Sequence, residues 1–320
     1  MSQTMPFVIR PFVEPDFEEA LRVMQAAEEA DSTPEHTTAA DLRFHLADSV
    51  RRPEDQFVAV MPGAGVVAFA LAMQRDGSEG YFYLTDGAVH PAWRRRGIGR
   101  ALLQQHWQRV QAVSAGLNRP VIMAGRAFPT QTGVEALFSG FGMTPLRYFF
   151  EMRRSLAEPL PALELPAHLT LRTWSERRAD EAIWRALNEA FADHWNHAEM
   201  PFAEFMHRLA QGRANADASF VVWDGDEVAG VAINDMGPGA AARRGNQHGW
   251  ISMLSVRRPW RQQGLGRGLL IASLQAGAAL GHPGLGLHVD AANLTGAVRL
   301  YEGVGFRVTA TRAMYHRAYP

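Results

Sequence analysis

The 320-residue chain contains no cysteine. That excludes disulfides, thiolate metal sites and a cysteine nucleophile, and no other metal-ligand spacing stands out, so no metal is expected. An excess of one charge is also missing. With 32 Lys+Arg against 33 Asp+Glu the formal net charge is -1, so no global field favours a polyanion and any anion site must be local. No window approaches the roughly 18 uninterrupted apolar residues of a membrane span. Met1 to Pro11 lacks a basic region followed by an apolar core. The expectation is a soluble, cytoplasmic protein, monomer or homodimer, with no membrane or nucleic-acid partner.

At 47% hydrophobic and 20% charged, the chain is long enough for two domains with separate cores. A duplication supports that division. Val256 is followed by the basic, Gly-rich stretch Arg257-Arg258-Pro259-Trp260-Arg261-Gln262-Gln263-Gly264-Leu265-Gly266-Arg267, and Val89 is followed by His90 to Arg100 in the same pattern. Val89 to Val256, Trp93 to Trp260 and Arg94 to Arg261 are each 167 residues apart. An apolar strand, a Gly turn and a helix in succession present free backbone N–H groups at one helix start, which is an anion cradle.

Apolar periodicity and turn residues predict the order β-α-α-β-β-β-α-β-α-β in the first half and its repeat in the second, a mixed α/β layer fold. Its main members are strands at Phe7–Phe12, Gln56–Met61, Val66–Met73 and Tyr81–Val89, then a helix from Ile98, with counterparts at Leu169–Thr173, Phe220–Trp223, Val228–Ile233 and Trp250–Val256. After Trp250–Val256 a helix is expected over Leu269–Leu280, a strand over Leu285–Val289 and a helix over Thr295–Val304. The Pro-rich stretch around Pro159, Pro161 and Pro166 reads as an extended linker. The expected domains are residues 1–154 and 168–320 with the linker at 155–167. The long Gly- and Ala-rich connection from Asn234 to Gly249, carrying Arg243 and Arg244, reads as a functional loop.

Two motifs carry a resemblance. Arg261 to Gly266 matches an R/Q-x-x-G-x-G/A turn, and Asn293, Ala297, Leu300, Tyr301, Glu302, Gly305 and Phe306 match an N-x-x-x-A-x-x-L-Y-E-x-x-G-F run at the usual distance. Together they resemble the GCN5-related N-acetyltransferase (GNAT) family, twice along the chain, with the unequal halves of tandem members of the mycothiol-synthase type. The resemblance implies two tandem GNAT-like domains, each a mixed, mostly antiparallel sheet flanked by helices. It also implies acetyl-CoA as cosubstrate and a small-molecule or peptide amine as acceptor.

A CoA pyrophosphate needs charge-assisted donors, which the backbone of Gln262, Gln263, Gly264, Leu265, Gly266 and Arg267 can supply, with glycines admitting the phosphate. The resemblance implies that the pantetheine arm pairs with Leu254, Ser255 and Val256 as an added strand, that Asn293 contacts the cofactor, and that Tyr301 is the acid whose hydroxyl donates a hydrogen bond to the departing sulfur as charge develops. Ala297, Leu300, Tyr301 and Val304 also form a helical stripe, so Tyr301 fits an ordinary core position as well. Asn293 likewise fits a helix cap.

The amine needs a base, and many members of the family place a glutamate on the strand before the turn. Trp250 to Ser255 contains no carboxylate. Asp193, His194, His197, Asp235 and His248 stand as candidates. In the first half Val89, Arg95, Arg96, Gly97, Ile98, Gly99 and Arg100 repeat the cradle. Aligning Gly140 and Gly142 with Gly303 and Gly305 puts Phe138 at the place of Tyr301 and Thr130 at that of Asn293. Phenylalanine has no proton to give, so catalysis is expected in the second half, the first being structural or CoA-binding. The competing reading is an acyl-CoA or CoA sensor without turnover.

Overall fold

The protein is described from a computed structural model over residues 7–34, 36–47, 51–210, 214–237, 247–293 and 296–320. Its twelve strands are β1 (Val8–Pro11), β2 (Phe57–Met61), β3 (Gly65–Gly77), β4 (Gly80–Val89), β5 (Val121–Ala127), β6 (Thr144–Ser155), β7 (Thr170–Thr173), β8 (Phe220–Asp224), β9 (Glu227–Asp235), β10 (Gly249–Val256), β11 (Gly284–Asp290) and β12 (Arg307–Tyr319). The chain folds into two compact units, one of Met1–Tyr148 with Arg312–Pro320, the other of Phe149–Thr311. Each therefore contains a strand segment from the opposite half of the sequence.

In the first unit the order is β1-β2-β3-β4-β5-β12, with only β4 and β5 parallel. The helix Phe17–Asp31 packs on β3 and β4, and Ile98–Leu117 packs on β3, β4 and β5. In the second unit the order is β6-β11-β10-β9-β8-β7, again with one parallel pair, β10 and β11. This is the mixed, mostly antiparallel sheet flanked by helices that the resemblance implied.

Two helix layers cover the second sheet. Asp180–Phe191 packs on β9 and β10, where Ile183 and Leu187 join Trp174, Trp223 and Ile233 in one core. The other layer is Leu265–Ala279, which packs on β8, β9, β10 and β11. Its Leu269, Leu270, Ile271 and Leu274 are at most 1% exposed, each contributing about 1.5–3 kcal/mol of burial. This helix begins four residues before the expected Leu269. Gly266, which read as turn, and Gly268 both lie inside it.

The helix expected over Thr295–Val304 is the short segment Ala297–Glu302, and Thr295 lies outside the described residues. Its N-cap is Gly296, so Asn293 does not cap it. After Ser155 the linker has no regular secondary structure until β7. Arg243 and Arg244 also lie outside the described residues. Among the described residues no helix is long and apolar enough to cross a membrane.

Candidate functional site

Strands β10 and β11 pair only at Gly249↔Leu285 and Trp250↔Gly286, although β10 continues to Val256 and β11 to Asp290. Beyond that point they part. On its other edge β10 stays bonded to β9, with Leu254 opposite Ala232, Ser255 opposite Val231 and Val256 opposite Gly230. The free edge of Leu254–Val256 thus borders the gap, where an extended ligand arm would find main-chain partners. A bulge interrupts β10 between Ile251 and Met253, so Ser252 is the extra, unpaired residue beside the point of divergence.

The Gly turn follows directly from the open end of β10. Gln262 (φ 60°) and Gly264 (φ 84°) both take left-handed backbone conformations. The first helical bond runs from the Gly268 N–H to the Gly264 carbonyl. Helix geometry leaves the N–H groups of Gly264, Leu265, Gly266 and Arg267 without intrahelical acceptors, and no side chain caps the helix start. Gln262, Gln263, Gly264 and Arg267 are exposed, whereas Leu265 is a 1% exposed anchor. A Cβ on Gly264 would meet nothing within 4 Å, so that face of the turn is open.

Gly266 plays a different part from the expected one. A Cβ there would lie 3.1 Å from Leu300 and 3.9 Å from Val256, so this glycine lets the helix approach its neighbours and does not admit a phosphate. The arginines are also redirected. Arg261 donates from Nε to the Val256 carbonyl at 3.0 Å, from Nη1 to Asp193 at 2.8 Å and from Nη2 to the Ala190 carbonyl at 3.2 Å. Arg258 pairs with Asp193, and Arg257 with Glu189 and Glu227. Their guanidinium groups brace the turn from behind. The cradle therefore rests on backbone donors and on Arg267, which donates to the Gly303 carbonyl at 3.3 Å while staying exposed.

Tyr301 lies in the core shared by Leu270, Leu274, Leu287, Val304 and Phe306, 8% exposed. Burial pushes its phenol up to about 12, so it holds its proton throughout the neutral range. Asn293 sits in the turn after β11, its N–H donating to the Asp290 carbonyl at 3.0 Å.

The base candidates separate clearly. Asp193 accepts from Arg258 and Arg261, and these hydrogen bonds hold its carboxyl well below the usual range, which makes it a poor proton acceptor. His248 precedes Gly249, where β10 and β11 are still bonded, so it stands at the closed end of the gap. Asp235 is 2% exposed at the end of β9. His194 packs on Phe191 with ring centroids 4.4 Å apart, and its N–H donates to the Phe191 carbonyl. Burial, followed by the charge of His197, lowers the His194 proton affinity, so its imidazole is neutral at pH 7. His197 follows one turn on, donating its N–H to the His194 carbonyl at 3.1 Å.

The first unit repeats the turn in its left-handed residues and in its arginine contacts. Arg95 (φ 63°) and Gly97 (φ 82°) match Gln262 and Gly264, and a Cβ on Gly99 would lie 3.0 Å from Leu137 and 3.6 Å from Val89. Arg94 bonds the Val89 carbonyl and Asp31 as Arg261 bonds Val256 and Asp193. Ile98 is a 1% exposed anchor, Arg96 lies over the Trp93 ring, and Arg100 donates to the Gly140 carbonyl. Two things differ. Strand β4 pairs with β3 in unbroken register from Ala68↔Val89 to Gly77↔Gly80, without a bulge. Phe138 is buried, its ring set so close over Gly125 that a Cβ there would lie 2.5 Å from Cζ.

Comparison with known proteins accords with this geometry. A family model described as Acetyltransferase (GNAT) family matches residues 20–142 and 180–306. The mycothiol acetyltransferase of Thermobispora bispora is 32% identical over 281 residues, covering 85% of this chain and 91% of its own length. A GCN5-related N-acetyltransferase from Sphaerobacter thermophilus superposes with a TM-score of 0.77 at 23% identity, covering 99% of this chain and 96% of that one. A tandem GNAT protein from the clavulanic acid biosynthesis pathway superposes at 0.71 and 20% identity, covering 98% and 99%. At those identities the two structures speak to the fold alone.

Proposed function

The chain belongs to the GNAT acetyltransferase family as a tandem member, and from that premise we propose that its second unit moves the acetyl group of acetyl-CoA to a small-molecule primary amine. The observation that carries this reading is the divergence of β10 and β11 beyond Trp250↔Gly286, which opens beside an uncapped, backbone-lined turn. The turn would take the pyrophosphate by charge-assisted hydrogen bonds, each worth on the order of 1.5–3 kcal/mol. The free edge of Leu254, Ser255 and Val256 would hold the extended arm, with Asn293 beside it.

The protonated Tyr301 phenol supports the role of acid toward the departing sulfur. A thiol ordinarily titrates near 8.5, below even an unperturbed phenol, so full proton transfer to the sulfur runs uphill. The phenol acts by a hydrogen bond that strengthens as charge develops. The first unit keeps the turn and lacks both the bulge and the phenol, which supports a structural or CoA-binding part without turnover. Relatives named mycothiol acetyltransferases support a small-molecule acceptor.

The test is release of free CoA from acetyl-CoA across a panel of primary amines, with Gly264→Ala and Gly97→Ala alongside. Amine-dependent release that Gly264→Ala weakens and Gly97→Ala leaves alone is the expected result. Tight acetyl-CoA binding with no release for any amine would establish the sensor reading instead.

A further inference from the structure

The sequence offered no carboxylate on the strand before the turn, and the structure supplies one from elsewhere. Leu285, Leu287 and Val289 of β11 face the core that holds Tyr301, so Gly286, His288 and Asp290 face the opposite side of the sheet. On that side Glu151 of β6 stands directly across from His288. Its Oε2 lies 3.7 Å from His288 Nε2, an ion-pair distance, and its Oε1 accepts from Arg153 Nε at 2.7 Å. Trp250 lies over Gly286 with its ring 4.7 Å from that of His288.

Burial differs sharply within the pair. The Glu151 side chain is 7% exposed and that of His288 is 48% exposed, so the carboxylate is fixed and the imidazole meets solvent. Burial pushes the Glu151 carboxyl up, but the His288 contact and the Arg153 charge outweigh it and leave it below its ordinary value, ionised at neutral pH. The other titratable groups nearby are His248, which Arg153 and Glu151 both influence, and Asp290 on the same strand.

His288 stands two residues past Gly286, the last residue of β11 paired with β10, on the wall of the gap. A thioester seated there would have Tyr301 on one face of the sheet and His288 on the other. Resting on the acetyltransferase reading, we propose that His288 is the catalytic base that accepts the proton of the attacking amine, and that Glu151 is the residue positioning it. The amine nitrogen bonds to the carbonyl carbon as the C–S bond breaks, and the electron pair of that bond leaves on sulfur as a thiolate that accepts the Tyr301 hydrogen bond. The amine proton goes to the imidazole, and exchange with solvent restores the imidazole and sets the protonation of the released thiol. An anionic partner on one ring nitrogen sets the tautomer and favours the imidazolium that forms.

The experiment compares wild type, H288Q, H194Q and E151Q by acetyl-CoA affinity and by CoA release with glucosamine, ethanolamine and a lysine-containing peptide, from pH 5 to 10. H288Q is expected to lower kcat by roughly 10²–10⁴-fold with acetyl-CoA affinity unchanged, and to abolish the limb on which kcat/KM rises with pH. E151Q should move that limb to lower pH, because removing the anion disfavours the imidazolium, and should lower kcat more than it changes KM. H288Q with wild-type kcat and pH profile, or a loss confined to H194Q, overturns this assignment and leaves the transferase reading standing. So does an H288Q protein that loses acetyl-CoA affinity in step with activity. A wild-type protein that releases no CoA with any amine overturns both.

Discussion

Gly264 and Gly266 lie one residue apart and answer to different forces. At Gly264 the backbone needs φ 84° and the space beyond is open, so Gly264→Ala meets strain rather than collision. About 1–2 kcal/mol of left-handed strain should weaken acetyl-CoA binding by roughly ten-fold while the thermal midpoint moves little, as calorimetric titration and melting would read. Asp193 gives the opposite kind of prediction. Its carboxyl is held down by two arginines, so Asp193→Asn should keep kcat within a few-fold of wild type in a CoA-release assay. The positions of the Gly turn and of Tyr301 were legible because each stands in a short contiguous motif. Asp193 stood among the five base candidates because nothing in the order of residues reveals that Arg258 and Arg261 turn back onto it.

Among the elements, the strand expected over Trp250–Val256 was readable to within one residue, and the start of the helix at Leu265 was not. Glycine is a poor helix former by intrinsic preference, and here tertiary packing against Leu300 and Leu165 overrides it. The bulge at Ser252 had no sequence signal, since it exists only as a register shift against β9. It re-aims half of a strand, so deleting Ser252 should restore a register like that of β4 and abolish CoA release, with acetyl-CoA binding measured in parallel. Gly266→Val would force the helix off Leu300 at the cost of about 1–3 kcal/mol, read as a lower urea midpoint.

At the scale of the whole molecule, duplication was legible from the constant spacing of Val89 and Val256, and the exchange of strands was not. The parts of β6 and β12 that complete the two sheets are set by pairings between distant segments, Glu151 with His288 and Tyr315 with Gly125. An edge so exposed leaves a row of unpaired backbone groups. Residues 168–320 expressed alone should therefore fail to give a dispersed amide spectrum, because β11 would lose β6 and the unit would lose Glu151. The intact chain should give one. The most direct measurement of the central claim is kcat for amine-dependent CoA release by Tyr301→Phe, with acetyl-CoA affinity determined on the same sample. A fall of roughly ten-fold or more at unchanged affinity is predicted from loss of the phenolic donor, and wild-type turnover in that variant would contradict it.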